Sequence, residues 1–381
     1  MISPLGEQFQ LRFPSCYDSG TDAPSLSMLT NLGRPPWARG CRSIVRTVHR
    51  RLVSTKNVFF KVSEEVQEAV RYKRPVVALE TTIYTHGFPY PENVALASHL
   101  ESVVRVNGGV PATIGVLNGV ARVGFETEEL IELTASAGKP ETKKLSRRDL
   151  GYICGLAITG RKMNGGTTVA GTMMLAKLAG IKVFATGGLG GVHRNGESSM
   201  DISADLTELG RTSVAVVSSG CKSFLDIPRT LEYLETQGVC VGTFADGREG
   251  KVEFPAFWTR DSGIPSPLTI QDEKEAAAIL YAQSALSISS GLLFANPVAI
   301  EHSIAKNKID AIMAQAIREA EEQGASGSDN TPFVLRRIRE VTGGQTVTAN
   351  RALIETNVIR GTKVAVELAK LECRDQNITA R

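Results

Sequence analysis

The sequence predicts an α/β fold, a three-layer α-β-α sandwich around a mostly parallel or mixed central sheet. Two observations point there. Short apolar runs alternate with longer helical segments, the pattern of a sheet covered on both faces. The 36 glycines gather at the ends of the apolar runs, which suits loops that approach a ligand closely. With 381 residues the chain has room for one large domain or two ordinary ones, and no internal repeat or clear domain break divides it.

The ordered body begins near Phe59, giving a division into a leader, 1–55, and one domain, 56–381. Ser63 followed by Glu64 and Glu65 opens a helix, VSEEVQEAVRYK. PVVALE (75–80) reads as a buried strand, 94–106 as a helix, and PATIGVL (111–117) as the next strand. Helices follow at 127–137, 148–157 and 167–178, then the strand IKVFAT (181–186). A short helix at 203–209 precedes a strand at 212–218, and a helix at 227–237 precedes one at 239–244. Residues 245–270 read as irregular, with Pro255, Pro265 and Pro267. The remainder reads as helix 272–287, strand 291–295 and helices 306–323, 331–342 and 350–371, with a loop GASGSDN at 324–330.

The net charge of +3 conceals an asymmetry: residues 1–22 carry −2, and 23–63 hold eight Lys or Arg and no acid. The rest therefore sums to −3, a mildly acidic body that argues against a nucleic-acid surface. The leader, with Arg34, Arg39, Arg42, Arg46, Arg50 and Arg51 among serines and threonines, has the composition of a mitochondrial transit peptide, with Met28 available as an internal start. A disordered basic tail or a mispredicted gene start, with the protein in the cytoplasm, is the other reading. The six cysteines form no CxxC pair, so neither a zinc site nor a disulfide framework is expected. Residues 276–300 lack charge, yet Gln283, Ser284, Asn296 and Pro297 interrupt them; they read as a buried helix and strand, and no membrane span is expected.

Chemistry concentrates between residues 186 and 226. A glycine-rich turn, Thr186 to Gly191, leads into His193 and Arg194. Asp201 and Asp205, four apart, would share one face of a helix and with water could hold a divalent metal; alternatively Asp201 caps the helix and Asp205 is solvated. Lys222 comes straight off an apolar run, where partial desolvation would free its amine to attack a carbonyl or an anomeric carbon. A lysine snorkelling from a strand end is the plainer alternative. Cys221 has no nearby histidine and reads as packing. Glu80 ends a strand, where an α/β sheet presents ligand groups, and burial would suit it to acid–base work; a helix cap or a salt bridge is its ordinary role. Lys144, with Lys143, Arg147 and Arg148, could clamp a phosphate or form a solvated turn. Gly165 to Thr168 open the helix that starts near Val169, whose backbone N–H groups are ready donors for an anion, although no Walker A pattern is present.

The ordered motifs VVALETTIYTHGFPYPEN, KKLSRRDL, GGTTVAGTM, IKVFATGGLGGVHR, DISADL, GCKSFLD, LEYLETQGV, LLFANP and TPFVLRRIREVTGG resemble the pseudouridine-5′-phosphate glycosidases, or indigoidine synthase A-like family, from about residue 60 to 371. The resemblance implies reversible cleavage of the C–C glycosidic bond of pseudouridine 5′-phosphate to uracil and ribose 5-phosphate. It implies Glu80 as proton donor, Lys222 as nucleophile and Asp201 as the ligand of Mn2+. It implies substrate contacts from Lys144, Val169, Ser203, Ala204 and Asp205, with His193 and Asn296 as further candidates, and a homotrimer. Thr81 and Ser290 depart from the usual Ser and Gly, without touching the proposed chemistry. Eukaryotic relatives are often fused to a sugar kinase; the chain ending at Arg381 reads as a stand-alone glycosidase or a truncated gene. Two other functions stay open: a same-fold relative acting on another phosphorylated nucleoside in a pigment pathway, and a non-catalytic binding protein.

Overall fold

The computed structural model describes residues 58–324 and 330–379; the expected leader and its transit-peptide reading lie outside them. One eleven-stranded sheet forms the centre, in the order β1-β4-β3-β2-β7-β8-β11-β9-β10, with β5 and β6 attached as a side pair on β3. The strands are β1 (Phe60–Val62), β2 (Val76–Glu80), β3 (Val110–Leu117), β4 (Val120–Val123), β5 (Thr142–Leu145), β6 (Asn164–Thr167), β7 (Val183–Ala185), β8 (Ala215–Ser218), β9 (Cys240–Phe244), β10 (Leu268–Ile270) and β11 (Leu292–Ala295). From β3 to β10 every neighbouring pair runs parallel, while β3 meets β4 and β6 antiparallel. The fold is thus α/β, with a mostly parallel but mixed sheet, as expected. β2, β7, β8 and β11 are buried at every position, which explains their unbroken apolar sequences.

Helices cover both faces. The long helix α12 (Gln345–Thr379) lies across β2, β7 and β8 and packs on α9 (Glu273–Ala285) and α2 (Glu92–Val106). The opposite layer contains α5 (Val169–Leu178), α7 (Ala204–Leu209) and α8 (Ile227–Thr236), packed in series. This is the arrangement that right-handed crossovers produce when the chain winds outward from β2 in one direction and from β7 in the other. The caps follow the sequence: Ser63, Thr168, Ser203, Asp226 and Asp272 each accept a backbone N–H at a helix start. The remaining helices are α1 (Glu64–Arg71), α3 (Thr127–Ala135), α4 (Arg147–Ile158), α6 (Gly196–Ser199), α10 (Lys306–Glu322) and α11 (Asn330–Val341).

Several expectations need correction. Gly165 and Gly166 belong to β6 and do not open a helix; the helix starts after the Thr168 cap. The basic cluster around Lys144 is partly strand β5, at the outer side of the side pair. Residues 268–270, read as irregular, form the edge strand β10. The uncharged stretch 276–300 divides into a helix and a strand as expected, α9 and β11, and among the described residues no helix is long and apolar enough to cross a membrane.

Candidate active site

Four neighbouring parallel strands, β2, β7, β8 and β11, end at one edge of the sheet. Register aligns Leu79 with Ala185, Ala185 with Val217, and Val217 with Phe294. The next residues on β2 and β7 are Glu80 and Thr186, side by side, and the Thr186 hydroxyl donates to Glu80 Oε1. They flank the line where the winding direction reverses, which is where open α/β sheets take ligands.

Beyond β8 the chain turns through Gly220 to reach Lys222. Gly220 has φ +72°, and a Cβ there would collide with the Pro255 carbonyl, so no other residue suits this bend. The turn is laced to the glycine-rich loop after β7: Leu189 N donates to the Gly220 carbonyl at 2.9 Å, and Lys222 N to the Leu189 carbonyl at 3.1 Å. Lys222 is thereby carried to the same edge as Glu80.

Glu80, Lys144 and Lys222 all line one cavity of about 320 Å³. Thr186, Gly187 and Gly188 contribute a polar border, and Ile83, Phe88, Phe257, Trp258, Leu335 and Ile354 an apolar wall. His86 and Asn350 face the same space; Trp258 Nε1 donates to Asn350 Oδ1 at 2.5 Å. Arg336 and Arg339, both exposed, form a cationic rim shared with an adjoining surface hollow. Among the described residues neither rim guanidinium has a carboxylate within ion-pair distance; Arg336 stacks on Phe333.

Burial dominates the ionisation of the site. It pushes the Glu80 carboxyl up to about 7, against the opposing effects of the Thr186 hydrogen bond and the Lys222 charge. Desolvation, followed by the charge of Lys222, lowers the Lys144 ammonium. Desolvation also lowers His86, whose Nδ1 lies 2.8 Å from Thr85 Oγ1, and His193. Cys221 is pushed up to about 12 by burial, which makes it an inert packing thiol, as expected.

The other sequence candidates fall outside the cavity lining. Asp201 and Asp205 do not stack on a helix face, because α7 begins only at Ala204. Asp205 accepts Ala170 N and Gly190 N, each at 3.0 Å, and so joins the start of α5 to the glycine-rich loop. Its charge is felt by both Glu80 and Lys144. Ser203 caps α7 and, with Ala204 and Val169, belongs to this same junction beside the site. Asn296, just after β11, is buried and hydrogen-bonds Asn357 at 3.0 Å and Arg360 at 3.2 Å, away from the cavity. Sequence reasoning missed His86, Trp258, Arg336, Arg339 and Asn350. Their segments carry ordinary helical or irregular patterns, and they meet the strand ends only through tertiary folding.

Asp201 fits a metal only in a particular way. Its carboxylate is 32% exposed and lies 3.8 Å from His193 Nδ1. Among the described residues no group of three or more His, Cys, Asp and Glu could hold an ion. A hard cation that keeps most of its waters can bind through one such carboxylate, and the donor set suits that chemistry alone.

The fold and site define an α/β protein in which a carboxyl group and two lysines line one cavity at the ends of neighbouring parallel strands. A family model described as indigoidine synthase A like protein matches residues 65–367. The chain is 47% identical over 311 residues to the pseudouridine-5′-phosphate glycosidase of Arabidopsis thaliana, covering 82% of this chain and 91% of that one. It is 44% identical over 313 residues to that of Staphylococcus aureus strain MW2, covering 82% and 98%. Among solved structures, the prealnumycin C-glycosynthase AlnA in complex with ribulose 5-phosphate superposes with a TM-score of 0.73 at 33% identity, covering 83% of this chain and 99% of that one. An indigoidine synthase A-like protein from Thermotoga maritima gives 0.71 at 31%, covering 83% and 98%. The chain belongs to the indigoidine synthase A-like family.

Proposed function

We propose that the protein is a pseudouridine-5′-phosphate glycosidase, reversibly cleaving pseudouridine 5′-phosphate to uracil and ribose 5-phosphate. The observation that carries this reading is the convergence of Glu80, Lys222 and Lys144 on one cavity. The names of the relatives at 44–47% identity over nearly their whole length support it.

The bond to be broken joins two carbons, so there is no leaving-group oxygen for the usual carboxylate pair to protonate. The Lys222 amine attacks C1′, the C1′–O4′ bond breaks, and O4′ takes a proton from Glu80. The attacking nitrogen, cationic after the addition, returns a proton to the Glu80 carboxylate; its lone pair then forms the C1′ iminium while the electrons of the C1′–C5 bond pass to C5 of the base, which takes that proton from Glu80 and leaves as uracil. Water hydrolyses the imine, releasing ribose 5-phosphate and the free lysine. A carboxyl that titrates at about 7 can both donate and recover a proton at neutral pH. In this reading Lys144, which lines the cavity, receives the phosphate.

Asp201 is the residue that would hold Mn2+, which when bound would orient substrate and water. A homotrimer and a mitochondrial address are further parts of this reading, tested by sedimentation and by localisation of the full chain. The relative named as a C-glycosynthase favours a second reading, formation of a related C-glycoside, at lower identity than the glycosidases. The deciding experiment follows uracil release from pseudouridine 5′-phosphate with and without added manganese. Manganese-stimulated release supports the proposal; no release in either condition from folded protein refutes it.

A further inference from the structure

We propose that Asn357 is the positioning residue of this active site: its buried side-chain amide fixes the loops after β7, β8 and β11, so that Thr186 holds Glu80 across from Lys222. The inference deepens the functional reading and rests on Glu80 and Lys222 being the reacting pair.

Asn357 is fully buried within α12. Its Nδ2 donates to the carbonyls of Thr186 at 2.8 Å and Gly187 at 3.2 Å. Its Oδ1 accepts from Asn296 Nδ2 at 3.0 Å, and Ser219 Oγ lies 3.1 Å from Nδ2 and 3.3 Å from Oδ1. A carboxamide has two N–H groups and two acceptor directions, and the contacts it makes here fall on three different strand ends. Thr186 is consequently held at three points. Its N–H donates to the Val217 carbonyl at 3.0 Å, its carbonyl accepts Asn357, and its hydroxyl is left to serve Glu80.

The surrounding sequence argues that this polar group is there for a purpose beyond packing. Leu353, Val358 and Gly361 near it on α12 are apolar or bare, and Leu353 and Val358 are fully buried. At Gly361 a Cβ would stand 3.0 Å from Ala185 Cβ, so the missing side chain lets the helix sit directly on β7. Burying an amide in such a seat costs free energy unless all its bonds are made. The bonds made here end on the loops that carry the reacting groups. Asn296 joins this clamp and passes it to Arg360, which pairs with Glu273 and Asp246.

The test combines Asn357→Leu with Thr186→Val in a double-mutant cycle. Turnover of pseudouridine 5′-phosphate is measured together with the titration of the Glu80 carboxyl, read by infrared difference against Glu80→Gln. The expected result for Asn357→Leu is a kcat lower by about 10- to 100-fold, the worth of a lost hydrogen bond to a charged group, with KM little changed. Glu80 then titrates higher than in the unaltered protein, and adding Asn357→Leu to Thr186→Val produces little further loss. The proposal is overturned if the two losses multiply, or if Asn357→Leu lowers only the melting temperature. Should Asn357→Leu fail to fold, Asn357→Ser is judged by the same criteria. The infrared titration needs no turnover, so unaltered protein that releases no uracil refutes the activity and still leaves the positioning role to be decided.

Discussion

The buried carboxyl of Glu80 makes stability depend on pH in a way that one isosteric substitution should remove. The group titrates near 4.5 when exposed and at about 7 in the folded protein, chiefly through desolvation. Its folded value is raised, so the stabilising effect is fully present below pH 4.5 and is lost as pH rises through 7. Between those values unfolding releases a proton, and each pH unit costs about 1.4 kcal/mol. Integrated from pH 5 to pH 8, the loss from this one group is about 2.5 kcal/mol. Glu80→Gln keeps the shape and cannot ionise, so its urea-unfolding free energy should lack that decline. The measurement is the difference between the two proteins at pH 5 and at pH 8. A gap that widens by about 2–3 kcal/mol toward pH 8 in favour of Glu80→Gln is expected. Curves parallel to within about 0.5 kcal/mol would refute the argument that Glu80 is held protonated by burial.

Other perturbations follow from the same geometry. Lys144→Met should raise KM for the phosphorylated substrate by about 10- to 100-fold, the loss of one charge-assisted contact, while the unphosphorylated nucleoside shows no such change in steady-state assays. The double substitution Arg336→Gln with Arg339→Gln should leave kcat intact but lower kcat/KM and flatten its dependence on ionic strength, because the rim cations act on encounter. Gly220→Ala should destabilise by at least about 1–3 kcal/mol in chemical unfolding and impair covalent capture by Lys222, since it strains φ and displaces the Pro255 carbonyl. Asp201→Asn should shift manganese activation to higher metal concentrations without altering the far-ultraviolet circular dichroism.

Much of this architecture is legible in the sequence. Strands buried on both faces announce themselves as runs such as VVAL and AVVS, because no alternation is needed when helices cover both sides. Glu80 and Lys222 stand out because a charged residue that closes or closely follows such a run lies at a sheet edge. Of the missed strands, β1, β4 and β10 are only three or four residues long, while β5 and β6 carry little apolar signal. β5 is TKKL, with its lysines exposed, and β6 is NGGT, with two glycines. Spacing misled at Asp201 and Asp205, where four residues suggested one helix turn but Ser203 starts the helix between them. The cavity wall from α11 and α12 was hidden for another reason. Periodicity finds a helix without saying which distant loops it will cover, so Asn350 and Asn357 gained meaning only from contacts more than 60 residues apart in sequence.

The most direct test of the central claim is covalent capture. The protein is incubated with ribose 5-phosphate and borohydride, digested and read by mass spectrometry. A reduced pentose phosphate adduct on the peptide bearing Lys222, absent from Lys222→Ala, is the predicted result. Folded protein that carries no adduct, or carries it on Lys144 instead, would contradict the account.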